Sequence, residues 1–515
     1  MRAHHMRVPC LASLMTFLLA AVLTSLAQGQ GQPARLGEFD GHGDVGSPKI
    51  AGSAAYNPVS QEYSIAAAGV NMWGQRDEFH FVWKRMTGDF ILQTRVQFLG
   101  NGVDAHRKAG VIVRPNHDAD APYVDAIVHG DGLTSLQFRR TKGAATEERA
   151  SSTKGADVLQ IERRGTNYIM SAAKFGEPFT NTEIADIPLG DDVLVGLVLC
   201  SHNADVTERV VFSNVRITKP AKEGFVPYRD YIGSALELLD VETGRRQIIH
   251  RSEEPFEAPN WTPDGAALIY NVSGRGEGRG RLVRFDLATR QGTPIHTGSS
   301  NRNNNDHVIS FDGKMLGISD ASAGQGSAIY TVPIGGGTPK RITPLTPSYL
   351  HGWSPDGKTL VYTGGRAKEY DIYAIAADGS GTEVNLTDAK GLDDGPEYSP
   401  DGKYIYFNSV RSGTMQIWRM KPDGSAPEQL TNDGWNNWFP HISPDGRWVA
   451  FISFPKEVDP SDHPYYKRVL LRLMPAAGGT PKVIAYVYGG QGTINVPSWS
   501  PDSRMLAFVS NTGPY

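Results

Sequence analysis

The chain has 515 residues, with 51 Lys+Arg against 55 Asp+Glu, 57 Gly, 33 Pro and 2 Cys. The near balance of charge excludes the basic face of a nucleic-acid binder and the acidic run of a disordered tail. The length exceeds what one hydrophobic core organises, and the Gly and Pro content suits the many turns of an all-β protein.

At the N-terminus, Arg2, His4, His5 and Arg7 precede the apolar run "LASLMTFLLAAVLTSLA". Ser25 and Ala27 are small residues at the spacing a signal peptidase accepts. Residues 1–27 therefore read as a cleaved signal peptide, and no later run is long and apolar enough to be a transmembrane segment. The expected location is periplasmic or secreted. The mature part keeps Cys200 alone, so no internal disulfide is expected.

Residues 34–219 offer period-two runs such as "EFHFVW", "DFILQTRVQF", "AGVIVRP", "VLQIERRGTNYIMSAA" and "VLVGLVLCS", separated by Gly, Asp and Asn turns. Alternation of this kind predicts an antiparallel β-sandwich. With "GDVGSP", "WGQRDEFHFVW", "GDF" and the closing "FSNVRI", the segment resembles concanavalin A-like jelly-roll domains of exported bacterial proteins. That resemblance implies carbohydrate binding or a spacer role. Trp73, if exposed, would stack on a sugar face; if buried, it belongs to the core. Asp118, Asp120, Asp125 and Asp131 lack EF-hand spacing and read as turn residues before they read as Ca²⁺ ligands.

Residues 228–515 are organised by a repeated phrase. "APNWTPDGAALIY", "DHVISFDGKMLGI", "HGWSPDGKTLVY", "GPEYSPDGKYIYF", "FPHISPDGRWVAF" and "VPSWSPDSRMLAF" each set a strand, a tight turn and a second strand. Their turn aspartates are Asp264, Asp312, Asp356, Asp401, Asp445 and Asp502, at intervals of 48, 44, 45, 44 and 57 residues. A mid-forties period with several short strands per unit is that of a β-propeller blade. "SALELLDVETGRRQIIH" precedes the first phrase and reads as third and fourth strands lacking a first and second. The last phrase has a first and second strand only. The two halves predict one mixed closing blade in a six-bladed ring, because an open ring would leave unpaired strand edges. The longest interval contains the insertion "SFPKEVDPSDHPYYKRV", expected to fold over one face as a lid or docking edge.

The repeats resemble the WD40-like PD40 repeats of TolB-like propellers, the periplasmic component of Tol biopolymer transport, with departures at Thr262 and Phe311. The resemblance implies a polymer or protein partner in the export compartment. Related repeats also occur in a polysaccharide lyase, so a carbohydrate-active enzyme (lyase or glycoside hydrolase) is the alternative. No G-x-S-x-G elbow or hydrolase domain follows the repeats.

Residues just before each first strand should ring one mouth of the central channel. Glu257, Asp306, His351 and Asp394 are the candidate catalytic groups, able to supply an acid and a base. Tyr349, Asp393, Asn437, Trp438 and Asn495 are the candidate ligand-binding residues, with Tyr349 and Trp438 placed to stack on a sugar. His307 and His441 share this level. Carboxylates from several blades could also hold a divalent cation, a possible cofactor, and His351, His307 and His441 could form a His-rich metal site, as the resemblance to lyase-like propellers implies. Turn capping and contacts between blades are the structural alternative for all of them.

Overall fold

The computed structural model describes residues 36–226, 229–273 and 279–514. The expected signal, residues 1–27, lies outside them. From Leu36 onward the chain forms one compact unit. Its regular elements are all β-strands, and no described helix is long and apolar enough to cross a membrane.

The first part is two antiparallel seven-stranded sheets. One runs in the order Gly41–Val45, Phe79–Thr87, Asp192–Cys200, Lys108–Arg114, Tyr123–His129, Thr134–Arg139, Glu147–Ala150. The other runs Thr180–Ile184, Asn167–Ala173, Val158–Arg164, Phe90–Leu99, Asn203–Thr218, Glu62–Gly69, Ser53–Asn57. Period-two alternation sends Val82, Val111, Ala126, Leu136 and Leu197 inward, where they meet Leu92, Leu159, Met170 and Phe212 in one core. Each Val, Leu, Met or Phe of this set contributes about 1.5–3 kcal/mol on burial.

The outer face of the first sheet is covered as well. Phe79, Phe81, Ile112, Tyr123 and Cys200 lie there with Met72 of the hairpin formed by Met72–Trp73 and Arg76–Asp77. Arg139 pins this hairpin: its guanidinium donates to both oxygens of Asp77 at 2.9 and 2.7 Å and to the Gly74 carbonyl at 3.0 Å. Burial raises the Asp77 pKa, and the hydrogen bond from Arg139 and the charge of Arg114 oppose that rise. Trp73 is 40 % exposed, with Lys108 Nζ 5.6 Å from its ring centre. Asp118 and Asp120 pair with Lys142, whereas Asp125 is fully buried.

Six blades follow. Blade one is Phe256–Trp261, Ala267–Val272, Arg281–Asp286 and Gly292–Ile295; blade two is Asn303–Ile309, Met315–Asp320, Ala328–Pro333 and Lys340–Arg341. Blade three is Ser348–Trp353, Thr359–Arg366, Glu369–Ala376 and Val384–Asn385; blade four is Asp393–Tyr398, Ile405–Ser409, Gln416–Met420 and Glu428–Gln429. Blade five is Asn436–Ile442, Trp448–Phe454, Lys467–Pro475 and Lys482–Gly489. Blade six is mixed. Gly233–Asp240 lies between Arg246–Ser252 and Met505–Thr512, and its inner edge is continued by a single bridge from Trp499 to Leu506. The half-repeats at 234–250 and 495–510 therefore complete one another, as their sequences predict.

The repeated phrase has a specific hydrogen-bond chemistry. In blade three the Ser354 hydroxyl donates to Asp356 Oδ1 at 2.6 Å and accepts from the Thr359 amide at 2.9 Å, while the Lys358 amide donates to Asp356 Oδ1. The same set recurs at Thr262, Ser310, Ser399, Ser443 and Ser500. Pro presets φ, and the glycine, as at Gly357 (φ +70°), takes the left-handed position. Ser503 replaces that glycine in blade six and adopts the same conformation at φ +62°.

The sandwich is joined to the propeller by a buried ion pair. Glu237 of blade six accepts from Arg216 of the sandwich strand Asn203–Thr218 at 2.9 and 2.8 Å, and from Arg246 at 3.0 and 2.9 Å. Burial would raise the Glu237 pKa, but the two guanidinium charges outweigh it and hold it at about 2. Nearby, Arg468 pairs with Glu162 and Phe179 stacks on Tyr486 at 4.1 Å.

Candidate functional site

The inner strands of blades one to five each carry a register shift, at Glu257/Asn260, Asn303/His307, Leu350/Gly352, Asp394/Glu397 and Trp438/His441. A bulge inserts an extra residue and re-aims the side chains beside it. Positive φ marks it at Ala258, Gly395 and Phe439. The seventh residue before each turn aspartate is Glu257, Asn305, Tyr349, Asp394, Trp438 or Asn495. Five of these six line one cavity of about 680 Å³.

Trp438 is the exception. Its ring is 0 % exposed and packs 5.7 Å from Phe439 and 4.6 Å from His463, so it has no face for a sugar. Phe439, at φ +53°, takes the lining place instead. A bulky residue in that region is uncommon, and the Asn408 side chain holds it by accepting the Phe439 amide at 2.9 Å. Asp393 and Asn437 also depart from expectation. Asp393 sits one residue before the lining Asp394, and alternation turns it away; Asn437, two residues before the lining Phe439, is held inside the blade by its own hydrogen bonds. Asp393 receives Arg411 Nη2 at 2.7 Å. Asn437 is fully buried, donates to Gln416 and Thr431, and accepts from Ser453.

The remaining candidates converge. Glu257 is saturated: Oε1 accepts from Tyr465 at 2.8 Å and Oε2 from Asn305 at 3.0 Å. Its pKa is raised by burial against those hydrogen bonds. Asp306 accepts from Asn304 Nδ2 at 2.7 Å through Oδ2, and no described residue donates to Oδ1. Burial, the largest cause, pushes its pKa up to about 6, with His351 opposing and Asp394 assisting. Asp394 Oδ1 accepts from Thr363 at 2.5 Å and from the Gly395 amide at 2.7 Å, and lies 3.3 Å from His351 Nε2. Burial would raise its pKa, but His351 and the Thr363 hydroxyl bring it below the ordinary value. His351 is pushed down by burial and up, with the larger net effect, by Asp394 and Asp306. Asn495 Oδ1 accepts from the Gly492 amide at 2.7 Å, and its Nδ2 donates to Gln491 at 3.2 Å.

His307 and His441 stand outside the cavity lining. His307 is bound to the Ile269 carbonyl at 3.1 Å, and His441 is bound to Glu397 at 2.7 Å and to the Ile494 carbonyl. No group of three or more His, Cys, Asp or Glu arranged to hold a metal ion occurs among the described residues. The blade-five insertion covers one side, contributing Ser461, His463 and Tyr465 to the lining. Its His, Tyr and Pro content marks a loop over a face, yet nothing in its order tells which side chains turn inward. Thr363 and Tyr370, from later strands of blade three, carry no sequence signal at all.

A family model, the TolB beta propeller domain, matches residues 347–461. An uncharacterised protein of Agrobacterium fabrum is 45% identical over 280 residues, which are 54% of this chain and 92% of that protein. The Tol-Pal system protein TolB of Bordetella parapertussis is 31% identical over 146 residues, 28% of this chain and 32% of that protein, so the chain spans about a third of its length. The solved structure of a putative TolB from Agrobacterium tumefaciens aligns with a TM-score of 0.52 at 44% identity, covering 55% of this chain and 100% of that one. With six PD40-type blades and a near-complete relative at this identity, the chain belongs to the TolB-like β-propeller family.

Proposed function

We propose that the protein is an exported TolB-like propeller that binds a polymer or protein partner at the mouth of its central cavity. The observation that carries this reading is the convergence of five of six equivalent inner-strand residues on one 680 Å³ space. Packing alone does not require polar side chains there. The signal-like residues 1–27 and the similarity to a Tol-Pal system protein support a periplasmic or secreted location. The sandwich, in this reading, is a fixed spacer or a second binding module. The test is cross-linking capture from envelope extract by the full chain. A charge reversal at the cavity, Asp394→Lys, should abolish capture while the chain still unfolds cooperatively. Equal capture by parent and variant would place the docking surface elsewhere.

One observation favours a second reading, a carbohydrate-active enzyme. Asp306 is pushed up and Asp394 is held down within the same space, the separation that distinguishes an acid from a base. Glu257→Gln and Asp394→Asn should then abolish turnover of a responsive glycan. If no member of a uronate and hexosamine panel is cleaved by the parent, this reading fails and the first stands.

A further inference from the structure

The cavity combines carboxylate oxygens that accept no hydrogen bond with aromatic rings and an excess of carboxylates over fixed positive charge. Asp306 is 7 % and Asp394 8 % exposed, and both line the space. Asp306 Oδ1 and Asp394 Oδ2 accept no hydrogen bond from any described residue, whereas every other carboxylate oxygen of the site is engaged. Neither oxygen is sealed from the cavity, so each can exchange water for a donor that a ligand brings. Three carboxylates, Glu257, Asp306 and Asp394, share this depth with two imidazoles, His351 beside Asp394 and His463, whose pKa burial lowers and so favours the neutral ring. Arg279 and Arg302 reach the rim but are exposed to solvent, where water screens them. Tyr349 lines the same space half-buried, close enough to both aspartates for their charges to act on its hydroxyl, and Tyr370 lines it beside Tyr349.

We infer that this space is a recognition site for a primary ammonium group, seated between Asp306 Oδ1 and Asp394 Oδ2 against the ring of Tyr349. An ammonium has three donors and no acceptor; two meet the idle oxygens and the third side faces an aromatic surface, which attracts a cation. An anionic ligand would add charge of the sign already in excess. Ca²⁺ asks for six to eight oxygens, and among the described residues no group of three or more His, Cys, Asp or Glu is arranged to hold a metal ion. The inference rests on the binding reading above and names the chemistry of the ligand. That ammonium could come from a peptide amine or from an amino sugar.

Titration calorimetry of the full chain at neutral pH separates these sources and tests the site. The probes are α-acetyl-lysine amide and glucosamine, each against its N-acetylated counterpart, which removes the charge and adds an acetyl group, and against its hydroxyl analogue (α-acetyl-6-hydroxynorleucine amide, glucose), which removes the charge at nearly the same size. At least one amine should bind tenfold or more tightly than either of its neutral forms, and Asp306→Asn and Asp394→Asn should each weaken it tenfold or more. Tighter binding of the lysine probe assigns a peptide amine; tighter binding of glucosamine assigns an amino sugar. Equal binding of an amine and its neutral forms, no binding of either amine, or unchanged binding by the two variants overturns the inference. The amine-to-neutral ratio is read in the parent, so it holds even if a variant unfolds. Partner capture lost on Asp394→Lys together with no amine selectivity would sink this inference alone and leave the binding reading intact.

Discussion

Two regions of the molecule each bury a carboxylate, Asp77 in the sandwich and Asp306 in the propeller, and treat it differently. Beneath the hairpin Met72–Asp77, Asp77 is 1 % exposed and both its oxygens are met by Arg139, with Arg114 3.5 Å away. In the propeller cavity Asp306 is nearly as buried, yet it has one neutral donor and an oxygen facing open space. Polar burial alone therefore does not mark a site. The sandwich uses a charged pair to fasten a flap over a sheet; the propeller leaves acceptors without donors beside a void. Glu237, clasped by two arginines where the parts join, belongs with Asp77.

Substitutions can break this contrast. The largest effect is expected at Glu237→Ala, which leaves Arg216 and Arg246 buried without their partner and should cost about 3–5 kcal/mol. Chemical denaturation of the full chain measures it. Because Glu237 is held at about 2, below its ordinary value, its contribution is present above the ordinary glutamate range and is lost as pH falls towards 2. The parent's acid sensitivity in that window should be smaller in the variant.

At Arg139→Met the loss should be about 2–4 kcal/mol, since Asp77 remains buried with only the more distant Arg114. Hydrogen exchange at residues 72–77 should rise, while exchange in blades one to five stays as in the parent. A uniform rise would mean that the flap is not a local clasp.

The smallest effect has the opposite sign. Asp306, pushed up to about 6, binds its proton more tightly folded than unfolded. Stability from that proton is complete below the unfolded value and is lost as pH rises through about 6. Asp306→Asn should therefore be more stable than the parent above that pH, by about 2–3 kcal/mol. The two melting curves should converge near pH 4, where the unfolded carboxyl also takes its proton. A variant less stable than the parent at neutral pH would show that Asp306 is satisfied, and the contrast with Asp77 would collapse.

Much of this architecture is legible in the chain because its turns are chemical. The Ser/Thr-Pro-Asp-Gly phrase encodes a closed set of local hydrogen bonds, so its spacing counts the blades, and the half-repeats at 234–250 and 495–510 close them. The cavity is legible only in level. Glu257, Tyr349, Asp394 and Asn495 are picked out by distance from the turn, and the same distance picks Trp438, whose ring is buried. What separates them is backbone: the bulge that puts Phe439 at positive φ swings one side chain out and buries its neighbour. Asp393 fails for a simpler reason, since alternation along the strand already places it on the other face, and Asn437 is held inside its blade by Gln416, Thr431 and Ser453. His463 and Tyr465 reach the cavity from a loop with no periodicity to read.

The bulge repeated along the inner strands has a consequence for change over generations. A side chain facing the void is bonded to the cavity's own polar lining, as Glu257 is to Asn305 and Tyr465 and Asp394 to Thr363, and is no part of its blade's apolar core, so replacing it disturbs little of the packing there. The ring thus keeps its folding information in the turns and its ligand chemistry in a separate set of slots, one per blade at a shared height. Single substitutions at those slots can alter what the cavity accepts, one letter at a time, while the blades that carry them stay folded.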